Sequence, residues 1–259
     1  MREYGFSEKW TDRKYKAAYT IGHTLGFVAE LKRINTVSIW DFTAGPGIDP
    51  KGRRNVLLNI IDGFCVSSSL HKLRCVGIED DPDRHKQLAE SISGSGYSQQ
   101  VTTRCGEFSK VVSPGEISGW GAVLFDPRPK KEAIVDTHDL VRLSGGLDII
   151  SYWSLTTLNR LKLEPDKWLS MVTVNGRDNV LWNDPPTGNG SDNRFQWAWL
   201  WASRARLNGP FNVPGYGTIK GLNRRSDYKW LRTNKALPRQ LELFPRFLEE
   251  KCTKLTGNI

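Results

Sequence analysis

The chain has 259 residues, 38% hydrophobic and 25% charged with a net charge of +9, the make-up of a globular protein with a full core. No apolar run approaches the ~20 residues needed to cross a bilayer, and the opening stretch, MREYGFSEKW, lacks the apolar centre of a secretory leader. Four scattered cysteines (Cys65, Cys75, Cys105, Cys252) form no C-x-x-C pair, so a cytoplasmic protein with no structural metal and no disulfide framework is expected.

In chain order, residues 11–34 predict an amphipathic helix within an N-terminal segment, 1–36. Ala18, Ile21, Leu25, Val28 and Leu31 recur at spacings of three and four on one face. VSIWDF (37–42) predicts a buried strand, and helical spacing returns through Val56, Leu57, Ile60, Ile61 and Phe64. LRCVGIE (73–79) is a second strand. The helix after it is punctuated by Asp81 as N-cap, Pro82 in the first turn and Gly94 beyond the last. VTTRC (101–105), GAVLFD (121–126) and LDIISYW (147–153) are three further strands, with a helix over 131–143 before the last.

Strands alternating with helices, and apolar almost throughout, predict a mostly parallel sheet covered on both faces. NVLW (179–182) and FQWAWLWAS (195–203) flank a loop rich in Pro, Gly and Asn, and predict an antiparallel hairpin at the sheet's edge. Pro165 opens a short helix before it. Trp197, Trp199 and Trp201 share one side of their strand and read as a buried face rather than a base-stacking platform. The expected fold class is α/β, a Rossmann-like doubly wound sheet over 37–203 with an antiparallel C-terminal hairpin. Residues 204–259, of weak periodicity, are a basic extension.

The turn DFTAGPG (41–47) lies where ligands sit in such folds, at the carboxyl end of the first strand. Glycines there let backbone amides approach a ligand. Glu79 and Asp80 end the second strand, where an acid suits ribose hydroxyls. Gly106 and Glu107 end the third, where a carboxylate suits an adenine amine. Together they outline an adenosine pocket. A dinucleotide motif would place a third glycine at a helix N-terminus, whereas here residue 50 is Pro and residues 48–52 intervene. An acid at the entrance of the turn repels a pyrophosphate and suits an ammonium. S-Adenosylmethionine, with adenosine, an ammonium and a sulfonium, is therefore the expected cofactor.

At these residues the chain resembles the class I S-adenosylmethionine-dependent methyltransferases. DFTAGPG, VGIEDDPDR, CGEF and VLFDPRP look like their first four motifs, in order, and the likeness covers about residues 37–203. Within that class the chain is most similar to the three-Cys-motif partner proteins of bacteria and phages. The resemblance implies a methyltransferase in which Asp41, Thr43, Ala44, Gly45, Gly47, Glu79, Asp80, Gly106 and Glu107 hold the cofactor. It also implies that Asp126 and Pro127 face the methyl acceptor.

In amino methyltransferases of nucleic acid, the fourth motif is an Asn or Asp followed by Pro-Pro and an aromatic residue. Here Asp126-Pro127 matches, but Arg128 and Pro129 replace the rest. NDPPT (183–187) looks closer by letters but reads as turn chemistry. Methylation at pyrimidine carbon 5 needs a cysteine nucleophile beside the fourth strand, and no cysteine lies between 106 and 251. A ribose hydroxyl acceptor needs a lysine set among acids; Lys14 or Lys16, Asp126 and a later lysine could be assembled, but the fifth strand carries no lysine.

The charge is uneven. Residues 203–259 hold 12 Lys/Arg against 4 Asp/Glu, and residues 1–36 hold 7 against 4. The middle is thus nearly neutral, and basic ends point to an anionic partner. Arg204, Arg206, Arg224, Arg225, Lys229 and Trp230 are the candidate nucleic-acid contacts. The expected function is methylation of a base amino group or a hydroxyl of nucleic acid. The alternative is a non-catalytic cofactor-binding or nucleic-acid-binding module of a phage or bacterial system. No membrane is expected, and a partner protein is left open.

Overall fold

The computed structural model describes residues 8–126, 139–154, 179–183, 197–204 and 216–220. Eight strands form one sheet in the order β3-β2-β1-β4-β5-β7-β6-β8. β1 (Val37–Asp41) lies between β2 (Leu73–Glu79) and β4 (Trp120–Phe125), parallel to both. β3 (Val101–Cys105) and β5 (Asp148–Ser154) extend the parallel set on either side. β7 (Trp197–Ser203) is antiparallel to both β5 and β6 (Asn179–Asn183). This is the Rossmann-like α/β sheet with an antiparallel C-terminal pair that the sequence predicts. The pair is not at the edge, however. β8 (Tyr216–Lys220), from the stretch assigned to the basic extension, pairs with β6 and closes that end. Two of its five residues are glycine or polar Thr218, so it carries little hydrophobic alternation for a reader of sequence to find.

One face is covered by α1 (Glu8–Leu31), α2 (Val56–Ser67) and α3 (Pro82–Gly94). Ile21, Leu25, Ile39, Leu57, Ile60, Ile61, Phe64 and Leu88 form the core there, with Ile150 and Trp201 extending it under the C-terminal strands. α1 and α2 touch backbone to backbone. A Cβ on Gly22 would lie 1.9 Å from the Ile60 carbonyl oxygen, and one on Gly63 2.0 Å from that of Tyr19. Ala18, Ile21 and Leu25 are buried as their spacing predicts, but Leu31 is 57% exposed and Ala29 takes its place in the stripe. Leu31 follows Ala29 by two residues, about 200° round a helix of 3.6 residues per turn, so it faces away.

α3 starts as expected, with the Asp81 carboxylate accepting from the amides of Asp83 and Arg84 and Pro82 following. Gly94 is its last residue, and Ser95 is the C-cap. On the other face, α4 (Phe108–Val111) stacks Phe108 on Phe42 at 4.7 Å and meets Phe125 edge-on at 5.7 Å. Residues 139–143 are helical with Leu140 and Leu143 buried; the remainder of the predicted 131–143 helix lies outside the described residues, as does the Pro165 helix. No helix among the described residues is long and apolar enough to cross a membrane.

The α1–α2 contact holds the N-terminal helix over the carboxyl ends of the strands. Gly63→Ala should force these backbones apart and lower stability by about 2 kcal/mol, the usual scale of overpacking. Urea unfolding measures this; an unchanged midpoint would show that the contact carries no load.

Candidate functional site

The chain winds outward from β1 to β3, then returns to β4 on the other side of β1. The crevice between the carboxyl ends of β1 and β4 is thus the topological switch point. A pocket opens there, lined by Asp41, Thr43, Ala44, Gly45 and Pro46 after β1, and by Leu124, Phe125 and Asp126 at the end of β4. Lys14 and Tyr15 of α1, and Asn55 and Val56 at the start of α2, complete it.

Two glycines shape the turn differently. Gly45 has φ +69°, and a Cβ there would meet nothing within 4 Å, so the open space before it is where a ligand can approach. Gly47 has φ +84°, but a Cβ there would lie 2.5 Å from Ser91 Cβ of α3. Gly47 lets the turn pack on α3 and does not line the pocket.

Asp41 is 2% exposed. Its Oδ1 accepts from the Thr43 amide at 3.0 Å and from the Thr43 hydroxyl at 3.4 Å. Burial pushes its carboxyl up to about 7; the neighbouring Asp126 charge adds to this, while the Thr43 bonds and the Lys14 ammonium oppose it. The Thr43 hydroxyl also accepts from the Asp126 amide at 2.8 Å. The Asp126 carboxylate pairs with the Lys14 ammonium, which lies 5.0 Å from the centre of the Tyr152 ring. Tyr15 lies beside them, with the Arg53 guanidinium 5.7 Å from its ring centre. Burial, then the Asp49 charge, push its phenol up to about 12.

Of the expected cofactor residues, Asp41, Thr43, Ala44 and Gly45 line this pocket. Glu79 ends β2, two residues beyond the level of Asp41, and is 3% exposed. Its Oε1 accepts from the Asp81 amide and Arg84 Nε, both at 3.1 Å, and pairs with Arg84 Nη2. Burial raises the Glu79 carboxyl above its usual range, and Arg84 draws it back. Asp80 is half exposed and also meets Arg84. Gly106, with φ +133°, donates its amide to the Glu79 carbonyl at 2.9 Å. Glu107 is exposed and pairs with Lys110 at 2.8 Å.

Asp126 is brought to the pocket; Pro127 lies outside the described residues. Arg204 is exposed and follows β7, beside Gly146 at the start of β5, so it lies at the opposite end of the sheet from Asp126. Arg206, Arg224, Arg225, Lys229 and Trp230 lie outside the described residues. Asn183, the first residue of the NDPPT stretch, ends β6 on the pocket side of the sheet; the other four lie outside the described residues.

Asn55 was missed. It is 7% exposed and caps α2, accepting from the Leu58 amide at 2.9 Å, while its side-chain amide donates to the Ala44 carbonyl at 2.6 Å. Its backbone amide donates to the Gly47 carbonyl at 2.7 Å. It thereby pins the glycine turn to the helix. The available signal was an Asn directly before the apolar run VLLNII. Among the described residues, no cluster of His, Cys, Asp or Glu could hold a metal ion.

No family model and no curated protein matches the sequence. Among solved structures, the Legionella pneumophila protein LPL1258 aligns over 79% of this chain and 96% of its own, at 11% identity and TM-score 0.51. The O-methyltransferase TomG of Streptomyces achromogenes, in complex with S-adenosylmethionine, aligns over 71% and 79%, at 13% identity and TM-score 0.44. A methyltransferase of Geobacter sulfurreducens aligns over 71% and 78%, at 16% identity and TM-score 0.40. At such identities the likeness concerns the fold alone.

A buried carboxyl raised from 3.8 to about 7 favours folding fully below pH 4 and loses that contribution as pH rises through 7. Asp41→Asn, which mimics the neutral form, should therefore be more stable than the natural chain at pH 8, by at least about 1 kcal/mol. The gain should vanish toward pH 4. Thermal unfolding at the two pH values decides; a variant less stable at pH 8 would mean that the Asp41 charge is favourably held.

Proposed function

We propose that the chain is an S-adenosylmethionine-dependent methyltransferase acting on nucleic acid. The observation that carries this reading is the charge and shape of the switch-point pocket. Two carboxylates, Asp41 and Asp126, face one ammonium, Lys14, around an open approach at Gly45. Such a site suits a cationic amino acid and disfavours a pyrophosphate. The helix N-terminus that a pyrophosphate would use is also partly engaged, since Asn55 already accepts from the Leu58 amide. In this reading Asp41 and the Thr43–Gly45 backbone hold the methionine part. Glu79 receives the ribose, and Glu107 stands toward the adenine.

The cofactor supplies an electrophilic methyl group on sulfur. The chain's own residues then have to bind, orient and exclude water, because methyl transfer depends on in-line positioning more than on acid–base work. Asp126, at the end of β4 beside the same pocket, orients the acceptor through its carboxylate. The nucleic-acid target rests on the basic ends of the chain, above all the 12 Lys/Arg against 4 Asp/Glu in residues 203–259.

The Lys14–Asp126 pair favours one of the two acceptors. It sets a lysine among acids, as a hydroxyl acceptor requires: as the methyl–sulfur bond breaks and the O–CH3 bond forms, the hydroxyl proton passes to the Asp126 carboxylate. A non-catalytic binding module, the alternative, keeps the pocket and needs no such pair.

Incubation with methyl-labelled S-adenosylmethionine and mixed nucleic acid should transfer label, and hydrolysis should recover it on sugar oxygen. Asp126→Ala should reduce transfer by roughly a hundredfold while cofactor affinity stays within a few-fold. Binding without transfer to any nucleic acid would favour the non-catalytic module. Nucleic-acid affinity should also fall steeply with salt, each phosphate contact adding about 0.7–0.9 to the log–log slope. Arg224→Glu with Arg225→Glu should weaken it further; a flat salt response would point to a small-molecule or protein acceptor.

A further inference from the structure

We propose that Thr43 is a positioning residue whose single hydroxyl ties the methionine side of the pocket, at Asp41, to the acceptor side, at Asp126. This rests on the S-adenosylmethionine reading above. The β1–β4 ladder ends where the Phe42 amide donates to the Leu124 carbonyl at 3.0 Å. Beyond it the β1 chain turns away, and the Ala44 amide donates to the Ile78 carbonyl of β2 at 2.9 Å instead. The Asp126 amide therefore has no strand carbonyl to meet. The Thr43 hydroxyl takes that place, accepting at 2.8 Å and directing its own proton to Asp41 Oδ1 at 3.4 Å. A hydroxyl has one proton and two lone pairs, so accepting from one side and donating to the other uses it in a single orientation.

Two consequences follow for two different sites. Asp126 is seated by its backbone through Thr43 as well as by its carboxylate through Lys14. Asp41 keeps its charge partly through Thr43. The groups facing Asp41 are Lys14 and Tyr15 from α1, Asp126 from the end of β4 and Cys75 on β2. Lys14 favours the ionised form and Asp126 disfavours it, while the Thr43 amide and hydroxyl both favour it. Removing the hydroxyl should leave Asp41 protonated to a higher pH, and a protonated Asp41 attracts a ligand ammonium less.

The test compares the natural chain with Thr43→Val, which keeps the shape, and Thr43→Ser, which keeps the hydroxyl. Calorimetry with S-adenosylmethionine between pH 6 and 9 reads the methionine side, and labelled methyl transfer at saturating cofactor reads the acceptor side. Thr43→Val should move the acid limb of cofactor affinity upward by about half a pH unit. It should also lower kcat roughly tenfold, with acceptor KM changed less. Thr43→Ser should restore both.

Natural-type behaviour of Thr43→Val in both assays, or equal damage from Thr43→Ser, would overturn the proposal. If Thr43→Val does not fold, hydrogen exchange of the Asp126 amide in the natural chain decides: protection supports the bridge, and exchange at the rate of an open loop overturns it. If the natural chain binds no S-adenosylmethionine, the functional reading falls and takes this one with it. If it binds and Thr43→Val matches it, only the bridge falls.

Discussion

A carboxylate buried at the end of a parallel strand is the constraint around which this site is arranged. Charge removed from water is costly unless partners replace the lost hydration. Asp41 sits at the bottom of the switch-point crevice, 2% exposed. Thr43 gives it an amide and a hydroxyl, Lys14 a nearby positive charge, and Asp126 an opposing negative one. These do not fully offset the burial, and the carboxyl is left raised to about 7. A group held in that condition is poised for a cationic ligand, which would supply the missing stabilisation. Residues that tolerate a poorly solvated charge in the free protein are characteristic of binding sites, where stability is given up for function. The neighbouring devices serve the same end. Asn55 fastens the glycine turn to α2, Gly47 seats it on α3, and Gly45 leaves the approach open.

Charge is unevenly divided between the pocket and the terminal stretches of the sequence. The lining of the pocket holds two acids to one base, although the whole chain carries +9. The excess of positive charge lies in the terminal stretches, most of it after residue 203. A cationic cofactor in the pocket and an anionic polymer against the ends would thus meet fields of opposite sign. Arg204 stands at the far end of the sheet from Asp126, so it belongs to a different surface from the acceptor pocket.

The strands and their order were legible because a sheet covered on both faces makes near-continuous apolar runs, and these were bounded by turn residues. β2 and β3 fall on the predicted residues, β1 ends one residue early, β4 lies one residue earlier than predicted at both ends, and β5 lies one residue later at both ends. That Asp41, Thr43, Ala44, Gly45 and Asp126 line one pocket was legible because such folds place their crevice at the carboxyl ends of the strands. What was not legible came from contacts between distant parts of the chain. The Lys14–Asp126 pair spans 112 residues, and no local pattern marks which of Lys14 and Lys16 turns inward. Whether Gly47 serves a ligand or Ser91 depends on where α3 packs. Arg84 reaches Glu79 only because Asp81 starts the helix where it does. β8 lacked the apolar alternation by which a strand is recognised.

The central claim, that the switch-point pocket holds S-adenosylmethionine and not a dinucleotide, is tested most directly by calorimetric titration of the natural chain at pH 8, where Asp41 is mostly ionised. S-Adenosylmethionine should bind saturably at one site per chain, and NAD and NADP should give no measurable heat of binding. Saturable binding of either dinucleotide, or no binding of S-adenosylmethionine, would contradict the account.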